Sequence, residues 1–454
     1  MKVFLAGYNV DSTVLEELKR ACEPRDDVTP EILSAAYARI SRDPRPVNEL
    51  REAARAEVKR ARQSNKNIIF KMGHHSVAEH AVFNFDVLGV SRLAVEELQK
   101  FRLCSFTEKS QRYITLKDDF VLPKEIKNAG KEKIFIDTIR AQNDLYRKLF
   151  RQLKPYVFEK NKNLAEDPKK HTILEGWAKE DARYVVSLAT HGQLGMTVNA
   201  RNLEYMIRRF ASKDLEEIKE LNRNLYELAK EVAPSIILFT ESNDFDARTY
   251  KDLKTSSKDF LREELPVDSG PVRLVDFSPD ADVKLTAALL FSASSRSYET
   301  CLKRAQRLTP EQKKAYVKKA FQYMELYDFV LREFEYINLT FELVVSATCF
   351  AQLKRHRMAT ITTQAYDPSL GVTIPLSIRD IGAAKEFEEI ISKTDDVYYQ
   401  LKSSLEKGEE YILTNAHCKR VLLHINAREL YHISRLREDP TAQWDIREVS
   451  RRMS

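Results

Sequence analysis

Residues 79–87 read EHAVFNFDV, and residues 335–343 read EYINLTFEL. In the first, Phe83, Phe85 and Val87 alternate with Asn84 and Asp86. In the second, Ile337, Leu339, Phe341 and Leu343 alternate with Asn338, Thr340 and Glu342. A period of two puts apolar side chains on one face and polar ones on the other, so each stretch predicts a half-buried β-strand. The chain around these strands is also written twice. VFLAGYNVD (from Val3) and VRLVDFSPD (from Val272) each read as a short strand, a turn and the start of a helix. Each alternating strand leads to a helix ending in a basic triplet, Lys100-Phe101-Arg102 or Arg355-His356-Arg357, and then to an extended segment, FVLP or VTIP. VNARNLEYMIRRF (Val198–Phe210) pairs with INARELYHISRLR (Ile425–Arg437). Landmarks recurring in the same order identify an internal duplication. The link LPVDSGP (Leu265–Pro271) marks the boundary, giving a first copy over 1–265 and a second over 266–454.

A chain of 454 residues has room for two or three domains, each with its own core. It has no apolar run of the roughly 18 residues that a membrane-spanning helix needs. The opening MKVFLAGYNVDSTVLEELKR reads as a strand and a helix, not as a signal peptide. Five scattered cysteines (Cys22, Cys104, Cys301, Cys349, Cys418) with no Cys-x-x-Cys predict a reducing cytoplasm and packing roles. The net charge of +6 is interleaved along helices, as on solvated faces, and predicts no nucleic-acid partner. In HHSVAEH (His74–His80), three residues separate His75 from Glu79, which is not zincin spacing, so no metal is expected.

Arg355-His356-Arg357 suits an anion, yet the stretch after it has no carboxylate before Asp367 and no further cation. The loop after the other triplet, CSFTEKSQRY (Cys104–Tyr113), supplies what is missing. In an extended loop, residues two apart point the same way, so Glu108, Ser110 and Arg112 are expected to converge on one ligand. A hydroxyl and a guanidinium together make a phosphate grip; the alternative is a surface turn with a salt bridge. On the helix expected to end at His356, Gln352, Arg355 and His356 share a face. Asn426 and Arg437 are eleven residues apart, about three turns, and also share one.

The stretch EH…KFRLCSFTEKSQRY resembles the signature of flavin-dependent thymidylate synthases, Arg-His-Arg-x-x-Ser-x-Asn-Glu-x-Ser-x-Arg-Tyr. NAREL…RLREDPTAQWDIRE resembles the closing helix of that family. The resemblance covers essentially the whole chain as two copies, weakest around residues 125–170 and 375–410. With the paired landmarks it implies an α+β fold: two tandem copies, each an antiparallel sheet flanked by helices. It further implies reductive methylation of dUMP to dTMP, with FAD as cofactor, NADPH as reductant and methylenetetrahydrofolate as carbon donor. The family's homotetramers imply that this duplicated chain forms a homodimer, a pseudo-tetramer.

Residue roles follow from the same resemblance. Arg437 and Ser110 are expected to be catalytic. Gln352, Arg355, Glu108, Ser110, Arg112, Arg183 and Arg437 are expected to bind the nucleotide. Ser41, His80, Arg355, His356, Arg357, Asn199, Arg201, Asn426 and Arg428 are expected on the flavin. The departures from the family pattern are complementary. Copy one has Lys100 and Phe101 in the triplet, Thr107 in place of Asn, and Phe210 opposite Arg437. Copy two keeps its triplet, but its loop reads Thr360, Thr363, Ala365 and Asp367; Glu410 stands opposite Arg183 and Tyr336 opposite His80. The expectation is a composite site. Gln352, Arg355, His356 and Arg437 would come from copy two, and Glu108, Ser110, Arg112 and Arg183 from copy one. The alternatives are a flavin- or nucleotide-binding scaffold without catalysis, and a related flavin enzyme acting on another pyrimidine nucleotide.

Overall fold

The structure, a computed structural model, describes residues 1–18, 27–39, 43–66, 69, 74–112, 114, 116, 118–264, 270–325 and 327–454. Ser41, Cys22 and residues 265–269 of the expected boundary lie outside the described residues. The chain divides into two compact units. The first comprises Met1–Asn143, Ser187–Leu265 and Asp396–Ile412; the second comprises Asp144–Val186, Pro266–Asp395 and Leu413–Ser454.

Each unit is built on an antiparallel sheet of the same topology. The first has strands β1 (Lys2–Tyr8), β2 (Val82–Ser91), β3 (Ser105–Glu108) and β4 (His191–Asn199), ordered β1-β2-β4-β3. The second has β5 (Val272–Phe277), β6 (Asn338–Ser346), β7 (Thr360–Tyr366) and β8 (Cys418–Asn426), ordered β5-β6-β8-β7. The expected α+β class and its repetition are both present. Phe83, Phe85 and Val87 are at most 1% exposed while Asn84 and Asp86 face solvent, as the period of two requires. Phe341, Leu343 and Val345 are the buried counterparts on β6. A bulge falls at the same place in the two first strands, between Leu5 and Gly7 and between Leu274 and Asp276.

Helices close the inner face of each sheet. In the first unit Val95 and Leu98 (helix Arg92–Leu98), Met206 and Phe210 (helix Ala200–Ala211) and Leu221 and Leu225 (helix Glu216–Val232) join the strand core. In the second, Phe350 and Leu353 (helix Ala347–Leu353), Ile433 (helix Ala427–Arg437) and Ile446 and Val449 (helix Trp444–Met453) do the same. These helices start where the sequence supplies caps. Ser91 accepts from the Ala94 amide and Ser346 from the Cys349 amide, both at 3.0 Å. Asn199 and Asn426 accept in the same way from Asn202 and Glu429, at 3.0 and 2.9 Å.

The stretches of weakest sequence similarity are nevertheless repeated in space. Phe120 and Val372 each make one bridge, to Thr190 and His417. Pro123 and Pro375 then start the short helices Lys124–Asn128 and Leu376–Asp380. Gly130 and Gly382 follow with φ of 65° and 72°, a left-handed turn that favours glycine. The long helices Glu132–Lys160 and Ala384–Ser404 come next, and each runs from one compact unit into the other, at 143/144 and 395/396. Repeats and units therefore divide the chain differently. Residues 144–186 of the first repeat belong to the second unit, and 396–412 of the second repeat belong to the first.

Candidate functional site

The second unit holds a connected polar cluster around His356, which is 4% exposed. Arg437, the last residue of its helix, donates from Nε to His356 Nε2 at 2.9 Å. Its Nη1 and Nη2 donate to the Gln352 side-chain and backbone oxygens at 3.4 and 3.3 Å. Because Nε2 accepts, the network assigns the imidazole proton to Nδ1, which faces Glu429 Oε1 at 3.4 Å. Burial lowers the pKa of the ring; Glu429 pulls the other way, and the Arg437 charge sides with burial, so the ring is neutral.

Arg183 belongs to this same unit, although it lies in the other sequence repeat. It is 7% exposed, and its carbonyl accepts from Asn415 Nδ2 at 3.0 Å. Beside it Tyr184 donates to Asp445 Oδ2 at 2.9 Å, and the Ser346 hydroxyl donates to the same oxygen at 2.6 Å. Burial, with the Asp445 charge, pushes the Tyr184 phenol well above its usual range, and burial also pushes the Asp445 carboxyl up. Asp181 accepts from Trp444 Nε1 at 2.7 Å and from Ser377 at 2.5 Å, and burial raises its pKa to about 6.

The first unit carries different chemistry at the equivalent positions. Phe101 and Phe210, which stand where the second unit has His356 and Arg437, meet edge to face with centroids 5.4 Å apart. Glu97 stands where the other unit has Gln352, between Lys100 and Lys213, the latter at 2.9 Å. Burial acts upward on the Glu97 carboxyl, but the two ammonium groups outweigh it and hold the pKa at about 2. In the loop, Glu108 is buried against Arg92, Oε1 to Nη1 at 2.6 Å with side chains 8% and 6% exposed, and it accepts from Gln99 at 3.2 Å. Strand β3 ends at Glu108, although the Lys109 amide still donates to the Gln193 carbonyl at 2.9 Å. Gln111 and Arg112 lie in a turn in which the Arg112 amide donates to Ser110 Oγ at 3.1 Å, so the extended alternation does not run on through Arg112.

The remaining expected residues are placed as follows. The helix before His356 ends at Leu353 and the chain turns, which leaves Arg355 and Arg357 exposed and His356 buried. Arg355 therefore does not share His356's face. Arg201 pairs with Glu79 at 2.5 Å, and Arg428 pairs with Glu335 at 2.9 Å, the same ion pair in each repeat. Asn199 and Asn426 act as the helix caps described above. His80 is exposed and meets Tyr37 edge-on at 4.5 Å. Among the described residues no group of three or more His, Cys, Asp or Glu could hold a metal ion, and no helix is long and apolar enough to cross a membrane.

Sequence reasoning missed Tyr184, Asp445, Gln443, Glu429 and Arg92. A signal existed for Tyr184. In each repeat a tyrosine (Tyr184 or Tyr411) directly follows the position of Arg183 or Glu410, and both tyrosines are fully buried.

The family described as thymidylate synthase complementing protein matches residues 26–235 and 273–454. A protein named flavin-dependent thymidylate synthase from Clostridium tetani is 30% identical over 216 residues, 46% of this chain and 82% of its own length. Longer matches are to UPF0159 proteins. That of Chlamydia muridarum is 23% identical over 413 residues, covering 87% of this chain and 78% of its own. That of Thermoplasma acidophilum is 23% identical over 459 residues, covering 93% and 91%.

Proposed function

We propose that this chain, which belongs to the thymidylate synthase complementing protein family and carries two tandem copies of its domain, is a flavin-dependent thymidylate synthase. The copies are taken as 1–265 and 266–454, the reaction as reductive methylation of dUMP to dTMP, and the working form as a cytoplasmic homodimer. The observation that carries the reading is the hydrogen-bonded set of Gln352, His356 and Arg437 in one compact unit, to which Arg183 of the other repeat also belongs. The other unit has an aromatic pair in place of the histidine and arginine. The name of the Clostridium tetani relative supports the same activity.

The donor set fits an anionic nucleotide and a flavin. Arg437 and Gln352 offer planar donors to uracil oxygens, and the exposed Arg355 and Arg357 suit phosphate or flavin oxygens. His356 is held neutral, with its proton at Nδ1. Ser110 and Arg112 are the proposed phosphate grip; Glu108 anchors the start of their loop through Arg92. The proposed flavin set is Ser41, His80, Arg355, His356 and Arg357, because Asn199, Asn426, Arg201 and Arg428 are committed to caps and ion pairs. Bound FAD, reduced by NADPH, would supply reducing equivalents, and methylenetetrahydrofolate the carbon.

The test is label release from dUMP deuterated at C5. With FAD, NADPH and methylenetetrahydrofolate present, label should leave with formation of dTMP, and dTMP should not form without the folate. A chain that binds flavin and dUMP but releases no label is a scaffold, not a synthase.

A further inference from the structure

A buried triad recurs in both units. In the first, Ser91 Oγ and Tyr411 Oη both donate to Glu217 Oε2, at 2.6 and 2.7 Å. In the second, Ser346 and Tyr184 both donate to Asp445, at 2.6 and 2.9 Å. Each serine caps the helix after the alternating strand, and each tyrosine comes from the other sequence repeat. Since the triad is common to both units, it belongs to the scaffold.

Among the described residues, only in the second unit does it continue through a glutamine. Gln443 Nε2 donates to the Tyr184 oxygen at 2.7 Å, while Gln443 Oε1 accepts from Gln352 Nε2 and from the Ile446 amide, both at 3.3 Å. Gln352 Oε1 in turn accepts from Arg437. The two ends of a glutamine amide are alike in shape, so only hydrogen bonds decide which end faces which partner. A Gln352 turned end for end would aim its NH2 at the guanidinium, donor against donor. Gln443 blocks that turn, and its own orientation is set from behind by Tyr184, whose proton is taken by Asp445. In the first unit Leu215 stands at the corresponding cap position and cannot make the link.

We propose that Gln443, backed by Tyr184 and Asp445, is a positioning residue that fixes the orientation of the Gln352 amide and, through it, the Arg437 guanidinium against His356. Its use for nucleotide binding rests on the function proposed above; the geometry does not.

The test uses the full-length chain and two variants. Gln443→Leu copies the residue of the other unit, and Tyr184→Phe keeps the Gln443 cap and the ring that stacks on Trp444. The first readout is the nitrogen NMR spectrum of the histidine-labelled, ligand-free protein. Wild type should show His356 as a single Nδ1–H tautomer; both variants should show a mixture, because Arg437 no longer holds its place. Tyr411→Phe, the same change in the other triad, should leave the His356 signal unchanged. The second readout is calorimetric dUMP affinity, expected to fall about tenfold in both variants. An unchanged His356 tautomer in both overturns the proposal, whatever dUMP does. A shifted tautomer in a protein that never binds dUMP upholds the positioning role and overturns the nucleotide reading instead.

Discussion

In the second unit a buried imidazole meets a guanidinium, His356 against Arg437; in the first the same two positions hold Phe101 and Phe210, edge to face. Around these pairs the scaffold is nearly unchanged. Both units keep the strand order, the serine and asparagine caps, the Arg–Glu pair at the closing helix and the Ser–carboxylate–Tyr triad. The comparison separates two demands on one duplicated sequence. Backbone ends and buried hydroxyls must be satisfied in both units, since an unmade buried hydrogen bond costs about 1–3 kcal/mol. On the proposed function, the positions that meet the ligand need keep their chemistry only once. Where it is relaxed, an aromatic pair gains about 0.5–1.5 kcal/mol beyond its burial but offers an anion nothing.

The largest effect should come from cutting the chain at the repeat boundary. A first half ending at 265 lacks residues 396–412, and with them Tyr411; a second half lacks 144–186, and with them Tyr184, Arg183 and Asp181. Each half alone should show no cooperative thermal transition and no synthase activity, and co-expression should restore both. A half that melts cooperatively by itself would break the link between compact units and exchanged segments.

Phe210→Ala comes next. The ring is 1% exposed and belongs to the first core, so its removal should cost about 3–5 kcal/mol in chemical unfolding. The folded fraction should bind dUMP as wild type does. Lost nucleotide affinity in that fraction would place a ligand site in the aromatic unit.

Asp181→Asn tests the second unit alone, since both tryptophans, Trp177 and Trp444, lie there and report its unfolding by fluorescence. Burial raises the Asp181 carboxyl to about 6, above its unfolded value, so between about 4 and 6 the folded state binds the extra proton. This group's contribution is then lost as pH rises through that window. Wild type should weaken relative to the asparagine variant by on the order of 3 kcal/mol, and the gap should level off above pH 7. A gap independent of pH would mean that the carboxyl titrates normally.

The smallest of these effects is the most specific. Arg437→Ala should lower dUMP affinity roughly ten- to a hundredfold, as expected for a charge-assisted bond worth about 1.5–3 kcal/mol. Asp367→Ala, in the second unit's own loop, should leave it unchanged.

Legibility in the sequence followed the range of the physics involved. Phe83, Phe85 and Val87 announce their strand because burial on one face of a sheet demands a period of two. The duplication was readable because the cap and strand positions recur. The crossing of the chain between units was not. It lies inside the helices Glu132–Lys160 and Ala384–Ser404, whose amphipathic pattern is the same whichever core they enter. Long-range partners were equally silent: nothing near Glu108 in sequence says that Arg92 will bury it, and nothing near Arg437 names Tyr184. The extended alternation expected through Glu108, Ser110 and Arg112 is broken before Arg112 for a local reason. The two-residue rule holds only while the chain stays extended, and here Ser110 begins a turn.

The division of labour between the two units is tested most directly by counting flavin. Purified chain, saturated with FAD and freed of excess, is unfolded, and the released flavin is measured against protein. One flavin per chain is the predicted result, because Phe101 and Phe210 leave the first unit without the imidazole and guanidinium that the second retains. Two flavins per chain, bound with equal affinity, would contradict the account.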